Sequence, residues 1–472
     1  MVGRSFDPLT GWLQCSDAMH RAKYRFESDP LNKAEESCAM SAVPDQCVSL
    51  RLPSRVTARV LLVCWLAILF EGYDVGVMGA VLPALAEYKA WHLSPVQLGA
   101  LGSYALLGMF FGAFLIGTLS DLLGRRRMLL MCATLFSLTM LGAAWAPTPG
   151  WFAVFPFIGG LGLGGVIPVA AALTIEYSAP HRRNFNYGLM YSGYSLGILC
   201  AAAAAIQLLP GFGWRGVVAC GAVPLVLLWP MARALPESIE YLVSQGRHGQ
   251  AAELAARLGV DVPVLPARTS GADYGNWRGV LGEVFARRHL RATLCFWTAL
   301  FCGLLLIYGL NTWLPTIMRR SGYDLGSSLT FLIVFSFASA LGGLLLGKVA
   351  DRAGVRATVG VFYLLGALAV LALMFRHGVA LNYLFVALAG VGSISASLIL
   401  TGHLADYYPG SVRAAATGWA LSFSRIGAMS GPLLGGYVAA SGLGVGFNFV
   451  VFALIGLLAA GAVLLLPTAH AE

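Results

Sequence analysis

Two stretches decide how this chain is read: GTLSDLLGRRR at residues 117–127 and GKVADRAGVRA at residues 347–357. Gly117, Asp121, Gly124 and Arg126 in the first correspond to Gly347, Asp351, Gly354 and Arg356 in the second, at a constant offset of 230. The same offset carries Gly160 to Gly390, Gly162 to Gly392, Glu176 to Asp406, Tyr177 to Tyr407, Arg183 to Arg413, Gly188 to Gly418 and Gly197 to Gly427. So many matches at one ungapped spacing mark a duplicated unit.

Composition identifies the unit. Of 472 residues, 58% are hydrophobic and 11% charged. An ordinary soluble domain carries about 25% charged residues, so this chain could not coat a soluble surface. About 20 apolar residues cross a bilayer as a helix. Breaking the sequence at charged, polar and Pro/Gly clusters gives twelve spans: 57–85, 96–118, 128–146, 151–174, 186–209, 215–234, 292–314, 327–347, 357–375, 381–403, 413–440 and 446–466. The expected fold is all-α and polytopic, two six-helix repeats in a lipid bilayer. The net charge of +9 does not argue for nucleic acid, because the basic residues punctuate apolar runs as topology signals do.

Loops after spans 2, 4, 8 and 10 hold Arg125, Arg126, Arg127, Arg182, Arg183, Lys348, Arg352, Arg356 and Arg413. The opposite loops hold Lys89, Arg215, Arg319, Arg320 and Arg376. The richer side is expected to be cytoplasmic, which places both termini there. The chain then divides into a disordered N-terminal tail (1–54), a first bundle (55–234), a cytoplasmic linker (235–291), a second bundle (292–467) and a short tail (468–472). The N-terminus lacks the apolar core of a signal peptide, and Met40 opens a more compact lead-in to span 1. Within the linker, Ala251, Leu254, Ala255 and Leu258 form one helical stripe, the pattern of a short amphipathic helix. The cysteines include no CxxC pair, no two histidines lie within four residues, and no nucleophile–base set stands out. An enzyme, a metal centre and any cofactor beyond a coupling proton are therefore not expected.

The GxLxDxxGRR pattern after span 2, its degenerate copy after span 8, and PES followed by GR after span 6 resemble the major facilitator superfamily, from about residue 55 to 467. A narrower resemblance, to the aromatic acid:proton symporter family, rests on four stretches: Glu71-Gly72-Tyr73-Asp74 in span 1, GLGLGGVIP in span 4, EYSAPHRR after it and SRIGAMSGPLLGG in span 11. That family has Asp-Gly-x-Asp in span 1, so the first acid here is one methylene longer. The resemblance implies a monomeric carrier of the bacterial inner membrane that imports a small aromatic carboxylate with a proton by alternating access.

Glu71 and Asp74 share a helix face at i and i+3 in the middle of an apolar span, where a carboxylate costs at least a few kcal/mol. Their mates at the 230 offset are Phe301 and Leu304, so they are no part of the symmetric scaffold. Proton coupling is the functional reading, and a hydrogen bond to a neighbouring span the structural one. Gly72, Gly76 and Gly79 would let another helix approach closely. Arg425, whose mate is Ser195, either clamps a substrate carboxylate or forms an ion pair, for instance with Asp74. Tyr191 and Tyr194 in span 5, and Tyr308 and Asn311 on one face of span 7, are candidates for holding an aromatic ring. Gly117, Asp121, Gly124, Arg125, Arg126, Asp351 and Arg356 are expected to form loop clasps that open during the cycle. Glu176 with Arg182 or Arg183, and Asp406 with Arg413, are expected as matching pairs. His403 is a possible titrating group. The competing readings are a carrier of another organic acid, an exporter, and a carrier-like sensor. The sensor would require a soluble output domain that the chain does not show.

Overall fold

The computed structural model describes residues 53–179, 182–260, 284–375, 377–408, 413–444 and 446–467. The two expected tails and most of the linker (261–283) lie outside them. Among the described residues the secondary structure is helical, without strands. The spans begin where local chemistry starts a helix. Ser94 and Gln97 form a reciprocal capping box before Pro95, Thr148 caps ahead of Pro149, and the Asp324 carboxylate accepts the Ser327 amide. Caps of this kind fix the start of spans 2 (Pro95–Leu123), 4 (Pro149–Glu176) and 8 (Leu325–Ala353) on one face of the bundle.

The motif glycines explain the opposite ends. Gly124 (φ 99°, ψ 144°) and Gly354 (φ 84°, ψ 141°) separate spans 2 and 8 from spans 3 (Arg125–Ala144) and 9 (Val355–Ala372) by a single residue. Only glycine takes that positive φ at no steric cost, so the chain reverses at once in both repeats.

Among the described residues, ten helical stretches are long and apolar enough to cross a membrane. One of them, Phe185–Ala234, has 50 residues. At 1.5 Å per residue that is about 75 Å, far beyond an apolar layer of about 30 Å. It breaks at Gly213 (φ 62°, ψ −169°), just after Pro210, and so supplies spans 5 and 6. The end of span 5 is therefore a bend within one helical run (Arg183–Ala219), where hydropathy alone suggests a loop at 210–214. Span 11 (Arg413–Ala440) is a 28-residue helix interrupted in hydropathy by Arg425. With these two, the architecture is consistent with twelve crossings. The remaining spans are 1 (Ser54–Ala86), 7 (Arg287–Arg320), 10 (Val379–Gly390 and Ala396–Tyr407, joined by a π-helical Val391–Ser395) and 12 (Gly446–Leu464).

The duplication is visible in atomic contacts. A methyl group on Gly160 would stand 2.2 Å from the Ala105 carbonyl oxygen, and one on Gly390 would stand 2.3 Å from that of Phe335. One on Gly162 would meet the Cys132 carbonyl at 3.1 Å, and one on Gly392 that of Phe362 at 2.4 Å. Both partners in each pair differ by 230. Span 4 thus lies on spans 2 and 3 as span 10 lies on spans 8 and 9.

The halves touch near the face that carries loops 87–94 and 321–324. Ser103 donates to the Met429 carbonyl (2.8 Å), Asn311 to that of Val75 (3.1 Å), and Arg319 pairs with Glu87 (3.2 Å). Gly79 lies on the Asn311 carbonyl, and Gly436 on that of Pro95. The opposite face, which we call the parted face in contrast to this closed one, carries none of these ties.

A methyl on Gly79 would stand 1.9 Å from backbone, which nothing flexible can relieve. Gly79→Ala should therefore destabilise the closed face by about 1–3 kcal/mol, read as a lowered thermal midpoint in detergent. Gly418→Ala, in open space, should leave the midpoint unchanged.

Candidate functional site

Span 1 buries Glu71 completely, and neither carboxylate oxygen has a hydrogen-bond partner. Gly72 explains the burial: it lies against the Tyr194 carbonyl, where a methyl would stand at 2.1 Å, so spans 1 and 5 meet backbone to backbone. One turn further along, half-buried Asp74 faces a cavity of about 30 Å³ whose wall includes Met78, Phe152, Tyr308 and Thr312. That is room for a water or two, not for a ring.

A larger cavity of about 160 Å³ lies between the halves, toward the parted face. Arg425 enters it from span 11, Tyr187, Tyr191 and Tyr194 from span 5, Tyr308 from span 7 and Thr401 from span 10. Helical spacing turns the three span 5 tyrosines into a ladder: Tyr187 and Tyr191 stack at 6.3 Å, Tyr191 and Tyr194 at 5.9 Å. The Tyr194 hydroxyl is buried and interacts with Tyr308. Arg425 has no hydrogen bond or ion pair among the described residues, although Glu71 lies within its electrostatic range. A guanidinium carries five donors in a planar fork suited to a carboxylate, and aromatic faces accept an offset ring. The cavity can therefore hold a small planar anion.

The structure brings Arg425, Tyr191, Tyr194 and Tyr308 together. The alternative of a standing ion pair between Arg425 and Asp74 is not found. Asn311 lies outside both cavities: its amide nitrogen is spent on the Val75 carbonyl and its Oδ1 has no partner, which makes it a tie between the halves. His403 sits away from the cavity, its ring against Phe296 and Tyr407.

The charged loop motif is organised differently from the expected pairs. Glu176 is bonded to Arg125 (2.9 Å), to the Ser238 hydroxyl (2.6 Å) and to the Glu240 amide (3.1 Å). Arg182 is exposed, and the Arg183 Nε is buried without a partner. The expected pairing of Glu176 with Arg182 or Arg183 is thus corrected to Arg125. The reason is that the PES segment folds back under the bundle and delivers its polar groups there. Arg125 also meets Glu240 (3.0 Å), the Arg126 amide donates to Glu237 (3.0 Å), and the Tyr177 hydroxyl to the Glu237 carbonyl. Glu237 and Ser238 were legible only as part of the PES motif, and Glu240 not at all. The network joins spans 2, 3 and 4 to the segment after span 6, all within one half. In the other half Arg356 donates to the Leu464 carbonyl. Gly117 and the side chains of Asp121, Asp351, Asp406 and Arg413 lie outside the described residues. Among the described residues, no His/Cys/Asp/Glu cluster could hold a metal.

The profile of the Major Facilitator Superfamily matches residues 64–402 and 328–472. The chain is 33% identical to the benzoate transport protein of Acinetobacter baylyi, over 84% of this chain and 86% of that one. It is 32% identical to the gallate transporter of Pseudomonas putida (88% and 92% covered) and 33% identical to the 4-hydroxybenzoate transporter of Pseudomonas aeruginosa (83% and 87%). In fold it is similar to the inward-open conformation of the E. coli xylose transporter XylE, with a TM-score of 0.69 at 18% identity, over 86% of this chain and 94% of that one.

With Arg125 removed, the Glu176 carboxylate, only 6% exposed, would lose its closest cation. Arg125→Ala should cost on the order of 3 kcal/mol in a thermal or denaturant melt. Arg127→Ala, at an exposed position, should cost little.

Proposed function

The chain belongs to the Major Facilitator Superfamily, and from that premise we propose that it imports a small aromatic carboxylate, of the benzoate or hydroxybenzoate type, together with a proton. Its relatives are named as transporters of benzoate, gallate and 4-hydroxybenzoate, which supports an aromatic acid as cargo. The observation that carries the reading is Arg425: an arginine without a protein partner, facing a tyrosine-lined cavity between the halves. A cation held in a low-dielectric interior without a counter-charge is costly, and an aromatic carboxylate supplies both the charge and a ring for the tyrosine ladder.

Two carboxyl groups, the partnerless Glu71 and Asp74 on the wall of the smaller pocket, stand near that cavity. In this reading the proton bound by Asp74 or Glu71 and the anion bound by Arg425 neutralise the site together. The loaded halves then rock about it. The basic loops put the parted face in the cytoplasm, with both termini on the same side of a bacterial inner membrane. The conformation described here is then the inward-facing one, closed to the outside by Ser103, Asn311 and the Glu87–Arg319 pair.

The test is uptake of labelled benzoate, 4-hydroxybenzoate, protocatechuate and shikimate into proteoliposomes under an inward proton gradient. The wild-type protein should accumulate an aromatic acid and not shikimate, and an uncoupler should abolish accumulation. Losing a charge-assisted hydrogen bond is worth about 1.5–3 kcal/mol, so Arg425→Gln should weaken apparent affinity about 10- to 100-fold. Asp74→Asn should abolish gradient-driven accumulation while leaving exchange of bound substrate. Accumulation that persists in Asp74→Asn would remove the coupling role from that carboxylate.

A further inference from the structure

The Asp74 pocket and the Arg425 cavity have one wall residue in common, Tyr308. The two spaces lie on opposite sides of it. Phe152 and Met140, in the smaller pocket, belong to the ends of spans 3 and 4 nearest the closed face. Tyr187, Thr401 and Leu421, in the larger cavity, belong to the ends of spans 5, 10 and 11 nearest the parted face. Along span 7 the lining passes from Leu304 and Ile307, in the larger cavity only, through Tyr308 to Thr312, in the smaller pocket only. Tyr308 is thus the wall residue shared by the pocket that holds Asp74 and the cavity that holds Arg425.

From this we infer that Tyr308 is the coupling barrier of the carrier: its ring blocks a continuous water path between Asp74 and the Arg425 cavity, and substrate in that cavity touches the same ring. The inference rests on the transport reading above and specifies how the site is kept from leaking. The ring is well placed for the task. Tyr308 is 6% exposed, so it is held by packing, and it stands within electrostatic range of Glu71 and Arg425. Tyr191, Tyr194, Glu71, Asp74 and Arg425 are the titratable and charged groups around it. None of the tyrosines can replace it, because each lines only the larger cavity.

The experiment measures proton entry rather than substrate. Proteoliposomes loaded with a pH-sensitive dye are given an acidic exterior, with and without external aromatic acid. Wild-type protein should acidify the lumen only when the acid is present. Tyr308→Ala, which joins the two spaces, should let a proton taken up by Asp74 in the outward-facing state pass on to the lumen without substrate, at several times the wild-type background. Tyr308→Leu repeats the test with a bulkier side chain in case the alanine variant does not fold, and should leak as well. Tyr308→Phe keeps the ring: uptake falls with the lost hydroxyl, yet the vesicles stay tight. Tyr308→Ala or Tyr308→Leu vesicles as tight as wild type would overturn the inference. So would Tyr308→Phe leaking as fast as they do, since the hydroxyl and not the ring would then be the barrier. The leak is read without substrate, so the outcomes separate: if wild type moves no aromatic acid but only the small variants leak, the partition stands and the assignment of cargo falls.

Discussion

Inside a bilayer, burying an apolar side chain against another helix gains little over leaving it in lipid, so helices are held by close backbone approach and by the few polar contacts between them. The distribution of such contacts divides this molecule into what is rigid and what can move. Within each half, glycines on span 4 and span 10 lie directly on carbonyls of the neighbouring spans, and Gly72 and Gly197 do the same between spans 1 and 5. Each of these contacts is too close to admit a methyl group. Between the halves the ties are fewer and gathered near one face, where a serine, an asparagine and one solvent-exposed ion pair supply the polar links. Two stiff bodies hinged at one end are what this distribution of contacts gives.

The polar groups left over are the informative ones. Most hydroxyls in the spans spend their proton on a carbonyl one turn back in their own helix, as Ser393, Thr401 and Ser430 do. Glu71 and Arg425 do not follow this economy. They sit in the interior at the junction of the halves, close enough to influence one another and yet unpaired. A structural pair would have closed into contact. Groups held apart in this way lack counter-charges within the protein, and in the proposed reading a proton and a substrate carboxylate supply them.

Much of this was legible in the sequence, for definable reasons. Hydropathy reports the spans because the bilayer imposes their length, and the 230 offset reports the duplication because both copies need glycine at the same crossings. Gly124 and Gly354 were readable as a motif before their positive φ gave the motif its physical meaning. Glu71, Asp74 and Arg425 stood out because charge is costly in an apolar run. What could not be read was any contact set by the path of the chain between elements. The partner of Glu176 comes from a segment beyond span 6 whose return under the bundle leaves no periodic signal. Asn311 and Tyr308 share a face of span 7 in any helical projection, but only the packing decides that one ties the halves together while the other faces cavities. The break at Gly213 falls where a loop was expected, but that the helix continues on either side of a single glycine was not readable from hydropathy.

The repeat also sharpens the meaning of the residues that break it. Parallel repeats related by an axis along the membrane normal place equivalent positions at equal depth, so Asp74 lies level with Leu304, and Tyr308 level with Met78. Leu304 lines the inner cavity, and Met78 lines the outer pocket. At one depth, then, the first half supplies an acid where the second supplies an aliphatic wall. One turn further out, the second half supplies the aromatic partition where the first supplies a flexible thioether. On the proposed reading the scaffold is symmetric because a rocking motion about a central site asks the same of both halves. On the proposed reading the chemistry is asymmetric because a coupled carrier must hold its proton and its anion in different places, and a duplicated unit can do that only by letting the two copies diverge where they face each other.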